Sequence, residues 1–83
     1  MRFVPSYRFH QTDHLILRSE ERNLSLENIK NVVRYPDKQK RIGRGEHTGI
    51  VYVFEKKVDQ VTLKVVAEIK ASECWLMTAY EPS

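Results

Sequence analysis

A single cysteine, Cys74, leaves this chain of 83 residues unable to close an internal disulfide. Cys74 lies in the apolar run CWLM, which reads as a buried structural thiol. The opening MRFVPSYRF has neither an apolar core nor a small-residue cleavage signature, so no signal peptide is read and a reducing cytoplasm is expected. Long apolar runs are missing as well, which excludes a membrane-spanning helix and any membrane partner of that kind. There is no internal repeat and no low-complexity segment. The chain is also too short to enclose a deep cavity for a large cofactor. No cofactor and no metal are expected, and residues 1–83 read as one domain.

What is present is the composition of a folded domain: 41% hydrophobic and 30% charged residues. The net charge of +3 is mild, but its distribution is uneven. In RYPDKQKRIGR, residues 34–44, Arg34, Lys38, Lys40, Arg41 and Arg44 stand against Asp37 alone. Such a patch attracts polyanions, RNA or an acidic protein among them. The plainer reading is an ordinary solvated loop.

Residues 1–9 read as irregular or as a short edge strand, with Pro5 limiting pairing. Thr12 then suits a helix N-cap, with Asp13 at the positive end of the dipole, and the helix runs to about Arg22. Asn23 suits the left-handed position that ends a helix. Ser25 caps a second helix whose Leu26, Ile29, Val32 and Val33 form an apolar stripe, and Tyr35-Pro36-Asp37 stops it.

From residue 38 the period becomes two. KQKRIGR (38–44) reads as a basic edge strand. IVYVFEKK (50–57), VTLKVVAEIK (61–70) and CWLMTAY (74–80) read as further strands, with GEHTG, VDQ and ASE between them. In 61–70, Val61, Leu63, Val65, Ala67 and Ile69 should face the helices, and Thr62, Lys64 and Glu68 the open side. Trp75, Tyr52 and Phe54 read as core. The expected fold is α+β: two N-terminal helices packed on a three- to four-stranded antiparallel meander.

His10, His14, Arg18 and Arg22 recur at intervals of four. On a helix of about 100° per residue, His14, Arg18 and Arg22 fall along one side, bordering the arc of Leu15, Ser19 and Ile16 expected to be buried. A stripe there opens toward the groove between helix and sheet, where a ligand would sit. The alternative is a solvated face with Arg18 paired to Glu20 or Glu21. Zinc on His10, His14 and His47 is disfavoured, because no carboxylate or cysteine stands at a telling spacing and Thr12 separates His10 from the helix.

H-x3-R-x3-R, then N-L-S-L-E-N-I, a proline stop, a basic loop, a meander and the terminal Thr78-Ala79-Tyr80 together resemble a bacterial family of unknown function over residues 9–81. The family pattern reads roughly H-a-x-x-R-x-x-x-R-G-[IL]-S, and Asn23 stands here where the family usually has glycine. The resemblance implies a relation to RelE/ParE-like toxins and small microbial ribonucleases, hence a RelE-like domain, by fold-level analogy.

What it implies chemically is RNA cleavage without a metal: the 2′-OH attacks the adjacent phosphorus while the protein supplies a base, an acid and cations. His14 would move the proton, and Arg18 and Arg22 would grip phosphate oxygens. Lys64 would add charge, Thr78 would bond a phosphate oxygen, and Tyr80 would donate a proton or stack on a base. Lys38, Lys40 and Arg41 would bind the RNA backbone. RelE-like enzymes similarly combine basic strand residues with a late tyrosine, although His14 does not fall at the positions they use. Two functions follow. One is a metal-independent endoribonuclease, the toxin of a toxin–antitoxin pair, neutralised by an acidic antitoxin. The other is a non-catalytic module binding RNA or protein on the same fold.

Overall fold

The alternation in VTLKVVAEIK produces the longest strand of the sheet. In the computed structural model, which describes residues 7–12, 15, 25–58 and 60–81, Val61–Lys70 forms β4. It is preceded by β1 (Arg8–Gln11), α1 (Leu26–Arg34), β2 (Lys38–Arg44) and β3 (Ile50–Val58), and followed by β5 (Glu73–Tyr80). The sheet has five strands in the order β1-β5-β4-β3-β2. β2 to β5 form an antiparallel meander, and β1 pairs parallel to β5 at the edge.

The expected pair of helices on a three- to four-stranded antiparallel meander is therefore corrected to a five-stranded mixed sheet with, among the described residues, one helix. Arg8–Gln11 is too short for a period to show, and its partner is distant in sequence, so no local turn signals the pairing. Phe9 points to the helix side beside Cys74, which gives this short strand an apolar anchor. His10 is a strand residue, so its place in line with His14 is a coincidence of spacing. The helix expected from Thr12 to Arg22 lies almost wholly outside the described residues. Thr12 Oγ1 does accept the backbone N–H of Leu15 at 3.2 Å, the geometry of an N-cap, and Leu15 is helical and buried.

α1 follows its sequence closely. Ser25 caps it by accepting from the N–H of Asn28, Glu27 sits in its first turn and Arg34 in its last. Its Ile29, Val32 and Val33 are buried against Phe54, Leu63, Val65, Ala67, Leu76 and Ala79, with Leu15 in the same cluster. Lys30 and Arg34 lie over the Phe9 ring at 5.6 and 5.1 Å, closing the core toward β1. Cys74 is fully buried, and that burial pushes its thiol up to about 12, so it behaves as a small apolar side chain.

Leu63, Val65 and Ala67 face the helix as expected, while Val61 at the end of the strand is exposed. Phe54 is core and Tyr52 packs at its edge. Glu68 breaks the expected pattern. It lies on the face opposite the helix, yet it is buried, because the β2–β3 loop folds over it. No helix among the described residues is long and apolar enough to cross a membrane.

Candidate functional site

Cross-strand pairing sorts the side chains of the face opposite α1 into rows. Lys38, Glu55, Lys64 and Tyr80 are successive partners across β2, β3, β4 and β5 and form the first row. Lys40, Val53, Val66 and Thr78 form the second. Val51, Glu68, Trp75 and His10 form the third, which continues onto β1.

The first two rows enclose an open depression of about 540 Å³ lined by Lys38, Gln39, Lys40, Val53, Glu55, Lys64 and Tyr80. The Lys64 ammonium lies 3.6 Å from the Glu55 carboxylate, a half-exposed pair worth at most about 1 kcal/mol. Three lysines against one glutamate leave the depression positive. A second depression, about 400 Å³, follows along the strands and is lined by Thr12, Glu46, Val66, Glu68, Met77 and Thr78.

The structure thus brings together Lys38, Lys40, Lys64 and Tyr80, and puts Thr78 in the adjoining hollow. Arg41 does not join them. It pairs with Tyr52, whose side chain is on the helix side, so alternation turns Arg41 away from Lys38 and Lys40. His14, Arg18 and Arg22 lie outside the described residues.

The third row holds groups that the sequence named only in other settings: His10 in the spacing of four, Glu68 on the open side and Trp75 in the core. A register shift in β5 sets Val66 against Thr78 but Ala67 against Leu76, with Met77 left over. This bulge reverses the parity of the strand. Tyr80 and Thr78 point to the open face on one side of it; Trp75 and Glu73 do so on the other, while Leu76 and Cys74 turn into the core. Trp75 is therefore not a core residue but a half-buried ring on the open face.

Two imidazoles stack on Trp75. His47, from the β2–β3 loop, lies 4.1 Å from it centroid to centroid and 7° from parallel. His10, from β1, lies 5.3 Å away at 17°. Each is bonded to a carboxylate: His47 Nδ1 to Glu68 Oε1 at 3.1 Å, and His10 Nε2 to Glu73 Oε1.

Glu68 is buried but fully partnered. Its carboxylate also accepts the backbone N–H groups of His47 and Gly49, each at 2.8 Å. Burial pushes its pKa up, but the N–H of Gly49 and the ring and backbone N–H groups of His47 outweigh that and hold it below the usual carboxylate range. The loop can close over it because a Cβ at Gly45 would collide with the Glu68 carboxylate, and one at Gly49 would stand 2.5 Å from the carbonyl oxygen of Ile69. A glycine-bounded loop facing a lone glutamate on a strand was the one local signal of this arrangement.

A family model described as Domain of unknown function (DUF4258) matches residues 11–81. The chain belongs to this family. No curated protein and no solved structure matches the chain. The DUF4258 match takes in the lysine rows, Tyr80, His47, Glu68 and Trp75, and begins one residue after His10.

Proposed function

We propose that this DUF4258 protein binds single-stranded RNA on the open face of its sheet and cleaves it without a metal, as the toxin of a toxin–antitoxin pair. The observation that supports this reading is the positive depression in which Lys38, Lys40 and Lys64 surround Tyr80. Lysines there would neutralise successive phosphates. The Tyr80 ring would take an unstacked base, the way single strands are commonly held. An open trough suits an extended strand better than a small molecule, which needs enclosure. An acidic antitoxin would cover the same lysines and shut the trough. The resemblance to RelE/ParE-like toxins supports the same reading by analogy. His14, Arg18 and Arg22 remain candidates for phosphate contact, but the proposal stands without them.

The test is a salt titration of binding to a labelled single-stranded RNA, with a cleavage assay in chelator. Replacing Lys38, Lys40 and Lys64 by glutamine should weaken binding and flatten its salt dependence, by about 0.7 in log–log slope for each phosphate no longer neutralised. An unchanged slope removes RNA from this face. Binding without cleavage in chelator reduces the protein to a binding module.

A further inference from the structure

The stack on Trp75 belongs to no function described so far, and its hydrogen bonds define the state of its groups. Glu68, held ionised by the backbone N–H groups of His47 and Gly49, can only accept. The Nδ1 of His47 must therefore carry the hydrogen, which places the basic lone pair on Nε2, the ring nitrogen away from Glu68. At His10 the ring nitrogen that meets the Glu73 carboxylate is Nε2, and Nδ1 is the one left free to face a ligand. A carboxylate that fixes tautomer and orientation is what makes an imidazole an effective proton carrier.

Strand order places the two imidazoles on opposite flanks of the indole. β1, carrying His10, lies on one side of β5; β4, carrying the Glu68 that holds His47, lies on the other. The rings are near-parallel, so each imidazole covers its own indole face. A phosphodiester seated over the edge of Trp75 would have one imidazole at either side. In-line displacement at phosphorus needs that disposition, with a base on the attacking oxygen and an acid on the leaving one. Both side chains are accessible, at 39% exposure for His10 and 44% for His47. Lys64 stands four residues from Glu68 along β4, about 13 Å at strand spacing. The hollow beside Val66 and Thr78 lies between them, so one extended strand could occupy both sites.

We infer that His47 and His10 are the proton-transferring pair of this face, with Glu68 and Glu73 positioning them and Trp75 holding them apart. The inference rests on the RNA reading above and names the catalytic groups within it. His47 Nε2 takes the proton of a ribose 2′-OH as that oxygen bonds to the adjacent phosphorus. The bond from phosphorus to O5′ breaks, and protonated His10 gives its proton to O5′. The products are a 2′,3′-cyclic phosphate and a 5′-hydroxyl, and exchange with solvent resets both rings. No metal, oxidant or water is consumed in this step.

The experiment measures cleavage of a labelled single-stranded RNA in chelator across pH, beside affinity for the same sequence with 2′-O-methyl riboses, which cannot be cleaved. His47→Asn, His10→Asn, Glu68→Gln and His14→Gln are compared with the unaltered protein, with circular dichroism to confirm folding and His47→Gln as a second variant should His47→Asn unfold. His47→Asn and His10→Asn should each lose about 10²–10⁴ in kcat with affinity for the methylated RNA unchanged, and each should remove one limb of a bell-shaped pH profile. Glu68→Gln should lower kcat with KM retained and move the acidic limb, the one set by the base His47, which a purely structural glutamate would not do. Cleavage at the normal rate by both histidine variants overturns the pair while leaving the RNA reading intact. Loss of cleavage in His14→Gln alone moves the chemistry to the N-terminal stripe and also overturns it. An unaltered protein that binds methylated RNA but never cleaves overturns the pair and the ribonuclease together. One that binds no RNA overturns the reading beneath both.

Discussion

The two faces of one sheet divide the work of this molecule. Beneath α1, Phe54, Leu63, Val65, Ala67, Leu76 and Ala79 meet Ile29, Val32 and Val33 with almost no solvent exposure. On the other side, the same strands present lysines, glutamates, a tyrosine, a tryptophan and the stacked histidines. Burial on the first face supplies most of the stability, because apolar area removed from water contributes far more than half-exposed ion pairs. The second face is thereby free to carry groups that would add little to folding. Glu68 is the exception: a charge on the open side that is sealed in and tied to the backbone.

That division can be broken experimentally. The largest effect should come from Leu76→Ala, at about 2–5 kcal/mol, read as a lowered urea midpoint; Thr78→Ala, two residues along the strand, should barely move it. Equal losses at the two positions would mean that the bulge at Met77 does not separate core from open face.

Next comes Glu68→Ala, which strands the N–H groups of His47 and Gly49 and should cost about 1–3 kcal/mol. Because the folded-state pKa of Glu68 lies below its ordinary value, its contribution is present above the usual carboxylate range and is lost as pH falls through the folded value. Urea melts across acidic pH should therefore show Glu68→Gln with a flatter decline than the unaltered protein. Parallel declines would deny Glu68 that role.

The lysine replacements on the first two rows should leave stability within about 0.5 kcal/mol while changing RNA affinity, which separates the two faces by function. Smallest of all should be Ile42→Thr: the residue is 58% exposed in the irregular part of β2, and the expected change is under about 0.5 kcal/mol. A larger loss would reveal an apolar partner for Ile42 in solution.

What could be read from the sequence was what neighbours decide. α1 carries its own cap, stripe and proline stop, and β2 to β5 carry a period of two with turns between them. The same alternation put Lys64 on the open face and made Lys38 and Lys40 legible as a basic edge. Three features were set by distant partners instead. β1 has four residues and is stabilised by β5 rather than by its own composition. The bulge at Met77 has no glycine or proline to mark it, so Trp75 looked like core when parity sends it outward. His10, His47 and Trp75 share no spacing in sequence; the sheet and a closed loop bring them together. The expected stripe of His14, Arg18 and Arg22 lies outside the described residues.

The parallel pairing of β1 with β5 also has a consequence for the order of events during synthesis. Residues 8–11 are synthesised some sixty residues before their partners at 73–76. The meander can form from β2 onward as the chain emerges, since its pairings are between adjacent strands. β1 must wait, and with it His10, whose partner Glu73 lies 63 residues downstream. The third row of the open face is therefore completed only after β5 has been made. Until β5 has emerged, a nascent chain would lack the stack of His10 and His47 on Trp75.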